Sequence, residues 1–269
     1  MPRHALLELA LALLAVLFSS AAASAQQKPS TCVAMAGKTP EIVRAAFTPA
    51  GGAAAGTVKL TYAGHSTYVI ETPEGVRIAT DYSGIYGDDP LPRVVTMNKA
   101  HRTHFTPSPD ARIEYVLTGW NPEGGPIKHR LSVDDVFIRN VTTDIRSGAL
   151  MEADGNSIFI FEVAGLCIGH LGHLHHPLED RHFAEIGRLD VVMVPIDGGM
   201  TQSLENMREI TDRLHSSIVL PMHRHSTPIA EFTAMMGKDL AVEFRGERWL
   251  EVTTATLPRR PTIILLEGV

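Results

Sequence analysis

From Val58 onward the chain is written in two periods. Apolar residues first recur at alternate positions, as at Val58, Leu60 and Tyr62, and this predicts strands with one buried face. Val58 to Glu71 and Val76 to Asp81 read as a hairpin turned at Pro73-Glu74-Gly75. Arg93 to Met97 reads as a short strand running into a His-bearing loop, and Asn121 to Pro126 carries turn chemistry. Tyr115 to Leu117, Val136 to Val141, Ser157 to Val163 and Leu166 to Ile168 continue the β series.

After His170 the pattern alternates between the two periods. Arg181 to Leu189 reads as helix and Val191 to Ile196 as a fully apolar strand. Leu204, Met207, Ile210 and Leu214 give Ser203 to His215 helical spacing. Ile218 to Leu220 is a further buried strand and Ile229 to Met236 a further helix. Val242 to Phe244, Leu250 to Thr254 and Ile263 to Leu266 close the chain as strands. Two β-rich halves with helices following each predict an α/β fold, a four-layer αββα sandwich, over residues 58–269.

The first 57 residues obey neither period. Ala5 to Phe18 is almost wholly apolar, too short for a bilayer span, and leads to Ala23-Ser24-Ala25, an A-x-A cleavage pattern. Residues 1–25 therefore read as a removable signal peptide, with a secreted or periplasmic destination and no stable membrane span afterwards. Residues 26–57, rich in Ala, Gly, Pro and Thr, read as an N-terminal extension or linker with a short helix over Pro40 to Phe47. Export implies an oxidising compartment, in which Cys32 and Cys167 can pair. Cys167 lies in the apolar run Val163 to Ile168 and reads as a buried thiol in preference to a disulfide partner of Cys32.

Composition narrows the partners. The formal net charge is −6 and no long Lys/Arg run occurs, which argues against a nucleic-acid partner and leaves a small-molecule substrate. With 44% hydrophobic residues the chain has ample apolar surface to fold. Two cysteines cannot make a four-cysteine metal site, whereas thirteen histidines are many for a slightly acidic protein. They recur where strands end: His65, then His101 and His104, then His170, His173, His175 and His176, then His223 and His225. Neutral imidazole is a common transition-metal ligand, and several arriving on separate loops can close one site. His129, His182, His215 and His225 read as plain surface residues, and His170, His175 and His176 as loop or supporting groups.

These pieces together resemble the metallo-β-lactamase superfamily, nearest to its branch of ascorbate-phosphate-lactonase-like hydrolases. The resemblance rests on Gly64-His65-Ser66-Thr67-Tyr68-Val69-Ile70-Glu71, the strand ending at Asp81, and Lys99-Ala100-His101-Arg102-Thr103-His104. It also rests on Gly155-Asn156-Ser157-Ile158-Phe159, His170-Leu171-Gly172-His173, Pro195-Ile196-Asp197-Gly198-Gly199 and Pro221-Met222-His223. It implies the four-layer sandwich of that superfamily and a metal-activated water acting on a small ester, lactone or phosphate-type substrate. The family's His-x-His-x-Asp-His motif here has Lys99 at its first His and Thr103 at its Asp, and no His lies near Thr142 to Asp144. The family's bridging Asp is here His173.

What survives is His101, His104, His173 and His223, a set that suits one divalent ion, Zn²⁺ first, with Fe²⁺, Ni²⁺ or Cu²⁺ as alternatives. Lys99 would repel a second cation and could attract an anionic substrate group or a developing oxyanion. Thr103 can bond a water but cannot act as a base, so His175, His176, His65 or Asp197 are candidate proton acceptors. His65, Asp81 and Asp197 are expected in supporting roles. A non-catalytic member that keeps a metal or ligand in the same cleft is the alternative.

Overall fold

The computed structural model describes residues 30–33, 56–147, 150–237 and 239–269. The expected signal peptide, nearly all of the extension and the helix expected over Pro40 to Phe47 lie outside the described residues. Among the described residues no helix is long and apolar enough to cross a membrane.

The alternating segments form two sheets packed face to face. The first holds β1 (Val58–Gly64), β2 (Thr67–Glu71), β3 (Arg77–Ala79), β4 (Val94–Met97), β5 (Tyr115–Thr118) and β13 (Trp249–Val252), in the order β13-β1-β2-β3-β4-β5. Its β3, β4 and β5 run parallel and the remaining pairs antiparallel. The second holds β6 (Arg130–Val133), β7 (Val136–Ser147), β8 (Leu150–Val163), β9 (Leu166–His170), β10 (Val191–Pro195), β11 (Ile218–Met222), β12 (Ala241–Phe244) and β14 (Thr262–Leu265). Its order is β12-β14-β11-β10-β9-β8-β7-β6, parallel from β12 to β9 and antiparallel from there on.

The period-2 residues meet between the sheets. Leu60, Tyr68, Ile70 and Ile78 face Ile138, Phe159, Phe161, Ile168, Met193 and Leu220 in one buried cluster. Burial of each such side chain contributes about 1.5–3 kcal/mol. A second cluster lies on the outer face of the eight-stranded sheet, under α1 (Asp180–Ile186), α2 (Leu204–Leu214) and α3 (Ile229–Met235). In α2 the Ser203 hydroxyl accepts the Asn206 N–H, and Leu204, Met207, Ile210 and Leu214 form the buried stripe. The α/β sandwich is therefore the one expected. Among the described residues its helices lie on the eight-stranded sheet. Tyr82, Ile113, Phe105 and Trp120 cover the outer face of the six-stranded one.

Three elements depart from the sequence expectation. The continuous strand expected over Val58 to Glu71 is two strands, broken at His65 and Ser66 where Gly64 and His65 take φ of 142° and 53°. A Cβ on Gly64 would come within 2.7 Å of the Tyr86 ring, so the turn needs a glycine. Strands β7 and β8 run well past Val141 and before Ser157, with a bulge between Thr143 and Ile145. The extension was hidden because ladder hydrogen bonds, and not an apolar face, carry it: Leu150 and Met151 are exposed there. Strand β6 alternates exposed Arg130 and Ser132 with inward Leu131 and Val133, but over four residues only, too short a run to stand out as a strand.

The expected free thiol is corrected: Cys32 and Cys167 form a disulfide. Their separation of 135 residues carries no local signal. The tertiary structure supplies the proximity. Glu162 accepts hydrogen bonds from Ser30 Oγ at 2.5 Å and Thr31 N at 2.7 Å, and Arg188 N donates to Cys32 O at 2.8 Å.

Candidate metal centre

The polar residues of the sequence motifs sit at one rim, where strands hand over to loops. Asp81 follows β3, and Asn98 to His104 follow β4. His173 and His175 follow β9, Asp197 follows β10 and His223 follows β11, while His65 occupies the β1–β2 turn. Ligand groups concentrate at such carboxyl ends of parallel strands because the loops there are free to vary.

The rim gathers five imidazoles. His104 lies 4.5 Å from His101, 4.5 Å from His173 and 5.0 Å from His223 between ring centroids. His173 also meets His223 at 4.8 Å and His101 at 5.1 Å. His65 meets His223 at 4.3 Å and His104 at 5.1 Å. One ring nitrogen from each of His65, His101, His104 and His223 falls within 4.8 Å of the other three. The rings of the four residues expected to converge lie side by side, but the mutually close nitrogens are those of His101, His104 and His223 together with His65, expected only as support, and not His173.

Two buried carboxylates set the orientation of two rings. His104 Nδ1 is 2.7 Å from Asp81 Oδ2, and His223 Nδ1 is 2.8 Å from Asp197 Oδ2. Each Nδ1 therefore carries its proton toward the carboxylate, and each Nε2 lone pair is left facing the cluster. Asp81 is held in turn by Asn98 Nδ2 at 2.8 Å. Asp197 accepts the backbone N–H groups of Gly199, Met200 and Thr201 at 3.0, 2.6 and 2.8 Å. Burial alone would raise both acids. The charges of His170 and His104 with the His104 and Asn98 bonds around Asp81, and the His223 and Thr201 bonds around Asp197, bring both below the usual carboxylate range. Asp81 and Asp197 thus contact the rings from behind, the position of the supporting role expected of them. So many accepted bonds leave Asp197 poorly placed as a proton acceptor.

The imidazoles shift the other way. Burial, then the neighbouring rings, pushes His65 down to about 3 and His101 down to about 4. Burial also lowers His104 and His173. Burial thus favours the neutral form of His65, His101, His104 and His173, the state in which imidazole ligates metal. His104 Nε2, His223 Nε2, His65 Nε2 and both ring nitrogens of His173 are buried and lack any protein partner. Buried polar atoms are almost always paired, so this group of orphans at one spot fits a cation. An all-imidazole donor set suits Zn²⁺, with Fe²⁺, Ni²⁺ or Cu²⁺ as alternatives.

The residues expected to carry catalysis are engaged elsewhere. Lys99 Nζ lies 2.5 Å from Glu152 Oε1 on the β7–β8 hairpin. Thr103 Oγ1 lies 2.8 Å from His101 Nδ1 and braces that exposed ring. His175 Nδ1 accepts the Arg146 N–H at 3.1 Å, and its Nε2 donates to Met200 O at 2.6 Å. With both nitrogens used, His175 has none free to take a proton. His170 is fully buried, with Nε2 on Ser66 O at 2.8 Å and Nδ1 accepting the Gly172 N–H at 3.1 Å. His182, expected on the surface, is buried, with Nδ1 accepting the Glu179 N–H at 2.9 Å.

Beneath the imidazoles runs an amide network to which the sequence reading gave no role. Asn98 Oδ1 accepts the Ser157 N–H at 2.7 Å and so ties β4 of one sheet to β8 of the other. Asn156 Oδ1 accepts the His173 N–H at 2.8 Å. A Cβ on Gly172 would come within 2.4 Å of Asn98 Nδ2 and 2.5 Å of Asn156 Oδ1, and its φ is 63°. Only glycine lets the His173 loop settle on both amides. The signal available was position alone: Asn98 is the residue directly after β4.

A family model described as "Beta-lactamase superfamily domain" matches residues 59–223. A candidate Zn-dependent hydrolase of the metallo-β-lactamase superfamily from Thermotoga maritima is 26% identical, with a TM-score of 0.56 over 78% of this chain and 98% of its own. Igni18, a metallo hydrolase from Ignicoccus hospitalis, is 20% identical with a TM-score of 0.54, covering 79% of this chain and 96% of its own. A candidate metal-dependent hydrolase from Parabacteroides distasonis is 15% identical with a TM-score of 0.55, covering 67% and 89% respectively. No curated protein matches the sequence.

Proposed function

Since the chain belongs to the β-lactamase superfamily, we propose that it is an exported metal-dependent hydrolase of a small ester, lactone or phosphate-type substrate. His101, His104, His173 and His223 hold one divalent ion, Zn²⁺ by first choice. The observation that carries this reading is the set of buried, unpartnered ring nitrogens on His65, His104, His173 and His223. A bound divalent ion would supply Lewis acidity and bring a water's pKa toward neutrality.

The chain's own residues do the positioning. Asp81 and Asp197 fix the tautomers of His104 and His223. Thr103 steadies His101. An anionic substrate group that recruited Lys99 would have to compete with Glu152 for its ammonium. The likeness to ascorbate-phosphate-lactonase-like hydrolases supports a small anionic or lactone substrate, and the net charge of −6 speaks against nucleic acid. The Cys32–Cys167 disulfide and the apolar leader-like residues 5–18 support an oxidising, exported location.

Protein purified without a His tag is expected to carry about one metal ion per chain by elemental analysis, and to turn over members of a lactone, ester and phosphodiester panel. His104→Ala and His223→Ala are each expected to empty the site. Metal retained in both variants would overturn the ligand assignment. Bound metal with no turnover across the panel would favour the non-catalytic reading, for which the Lys99 and Thr103 replacements speak.

A further inference from the structure

Beyond the set read from the motifs, we propose that His65 is itself a metal ligand. It would take the place of ligands the family pattern loses at Lys99, at Thr103 and near Thr142 to Asp144. The inference rests on the metal reading of the site given above. Its Nε2 is buried without a protein partner. It belongs to the group of four nitrogens that lie mutually within 4.8 Å.

Two neighbours show what a purely structural histidine does at this rim. His170 gives one nitrogen to Ser66 O and receives the Gly172 N–H on the other. His175 likewise uses both of its nitrogens on backbone groups. His65 sits beside Ser66 in the same turn, yet leaves its buried nitrogen facing the imidazoles.

The backbone is arranged to hold it there. His65 and His223 are both non-glycine residues in the left-handed region, at φ of 53° and 49°. Such conformations cost free energy and persist only where the surroundings enforce them, most often at functional sites. Here the enforcement is mutual. His223 N donates to His65 O at 2.8 Å, and Tyr62 Oη donates to the same oxygen at 3.0 Å. The clasp brings the two rings to 4.3 Å. The resulting donor set contains no carboxylate, because Asp81 and Asp197 act one ring removed from the centre.

Co²⁺ added to the metal-free full chain is the probe, with affinity and visible d–d absorption as readouts. His65→Asn is the main variant, since Asn tolerates the left-handed backbone while removing the imidazole. His65→Ala and His104→Ala accompany it, each checked by circular dichroism and thermal melting before metal is added. His65→Asn is expected to weaken Co²⁺ binding by about 100-fold, the upper end of what losing even a supporting partner costs, and to shift the d–d bands. A histidine that only shapes the turn would change melting and leave the spectrum alone. Should His65→Asn keep both the wild-type affinity and the wild-type bands while His104→Ala loses Co²⁺, the His65 assignment is wrong and the metal reading stands. If Co²⁺ fails to bind the wild-type chain, both are wrong.

Discussion

Two buried polar regions of this molecule treat their hydrogen bonds in opposite ways. At a second clasp, where Ser30 and Thr31 are tied to β8 through Glu162, Arg139 and Glu162 are almost fully buried, and their bonds are all made within the protein. Arg139 gives Nε to Glu162 and its two terminal nitrogens to Glu185 O and Ile186 O. Glu162 also collects Ser30 and Thr31. At the imidazole rim the same chain buries Nε2 of His65, His104 and His223 and both ring nitrogens of His173 and pairs none of these atoms internally. A charged pair deep in the protein can therefore meet all of its bonds internally, while the rings at the rim leave some of theirs unmet. The discriminating feature is the unmet bond, since a buried donor or acceptor without a partner costs free energy that some ligand must offset.

The comparison can be broken at either region. The largest expected effect is on the clasp. Glu162→Ala leaves the Arg139 guanidinium buried and unpaired, which should cost about 3–5 kcal/mol in chemical denaturation. Metal affinity should be unchanged. A parallel loss of metal would show that the two regions are not independent.

Asp197→Asn makes the converse test. It removes the charge, and because three backbone N–H groups hold the one remaining oxygen, an amide N–H donor replaces the acceptor that faces His223 Nδ1, at the same side-chain size. Metal affinity should fall about 10–100-fold, with stability of the metal-free protein altered less than by Glu162→Ala. Titration of the variant with Zn²⁺ measures it, and an undiminished affinity would remove Asp197 from its supporting role.

The smallest effect separates the regions by pH. In the metal-free protein His65 is held at about 3 and His101 at about 4, against 6.5 in an unfolded chain. Below pH about 6.5 the unfolded chain takes up protons that these folded rings refuse. Stability from neutral burial is thus complete above that pH and declines as the pH falls toward the folded values. Glu162 is depressed as well, from 4.5, so the clasp loses its contribution only at more acidic pH. Melting temperature should therefore already drop between pH 7 and pH 5. A flat profile across that window would contradict the neutral, desolvated cluster.

Much of this was legible from residues alone, for local reasons. Val58, Leu60 and Tyr62 alternate because one face of β1 is buried, and Leu204, Met207, Ile210 and Leu214 recur because α2 buries one stripe. His101, His104, His173 and His223 could be gathered on paper because each follows a strand whose apolar run was plain. The break at His65, the long arms of β7 and β8 and the edge strand β6 were not legible. A left-handed turn makes the break, backbone ladders make the arms, and the alternation of β6 spans four residues only.

The order of apolar and polar residues thus determined the layers, the strand ends and the family likeness, because burial acts on each segment where it stands. Which ring nitrogens face one another, which lysine is already paired with Glu152 and which thiol meets Cys32 were decided only when segments far apart in the chain packed together. Those outcomes depend on direction and distance between side chains from different strands. A pattern along one chain fixes neither, because loop geometry and sheet register set both.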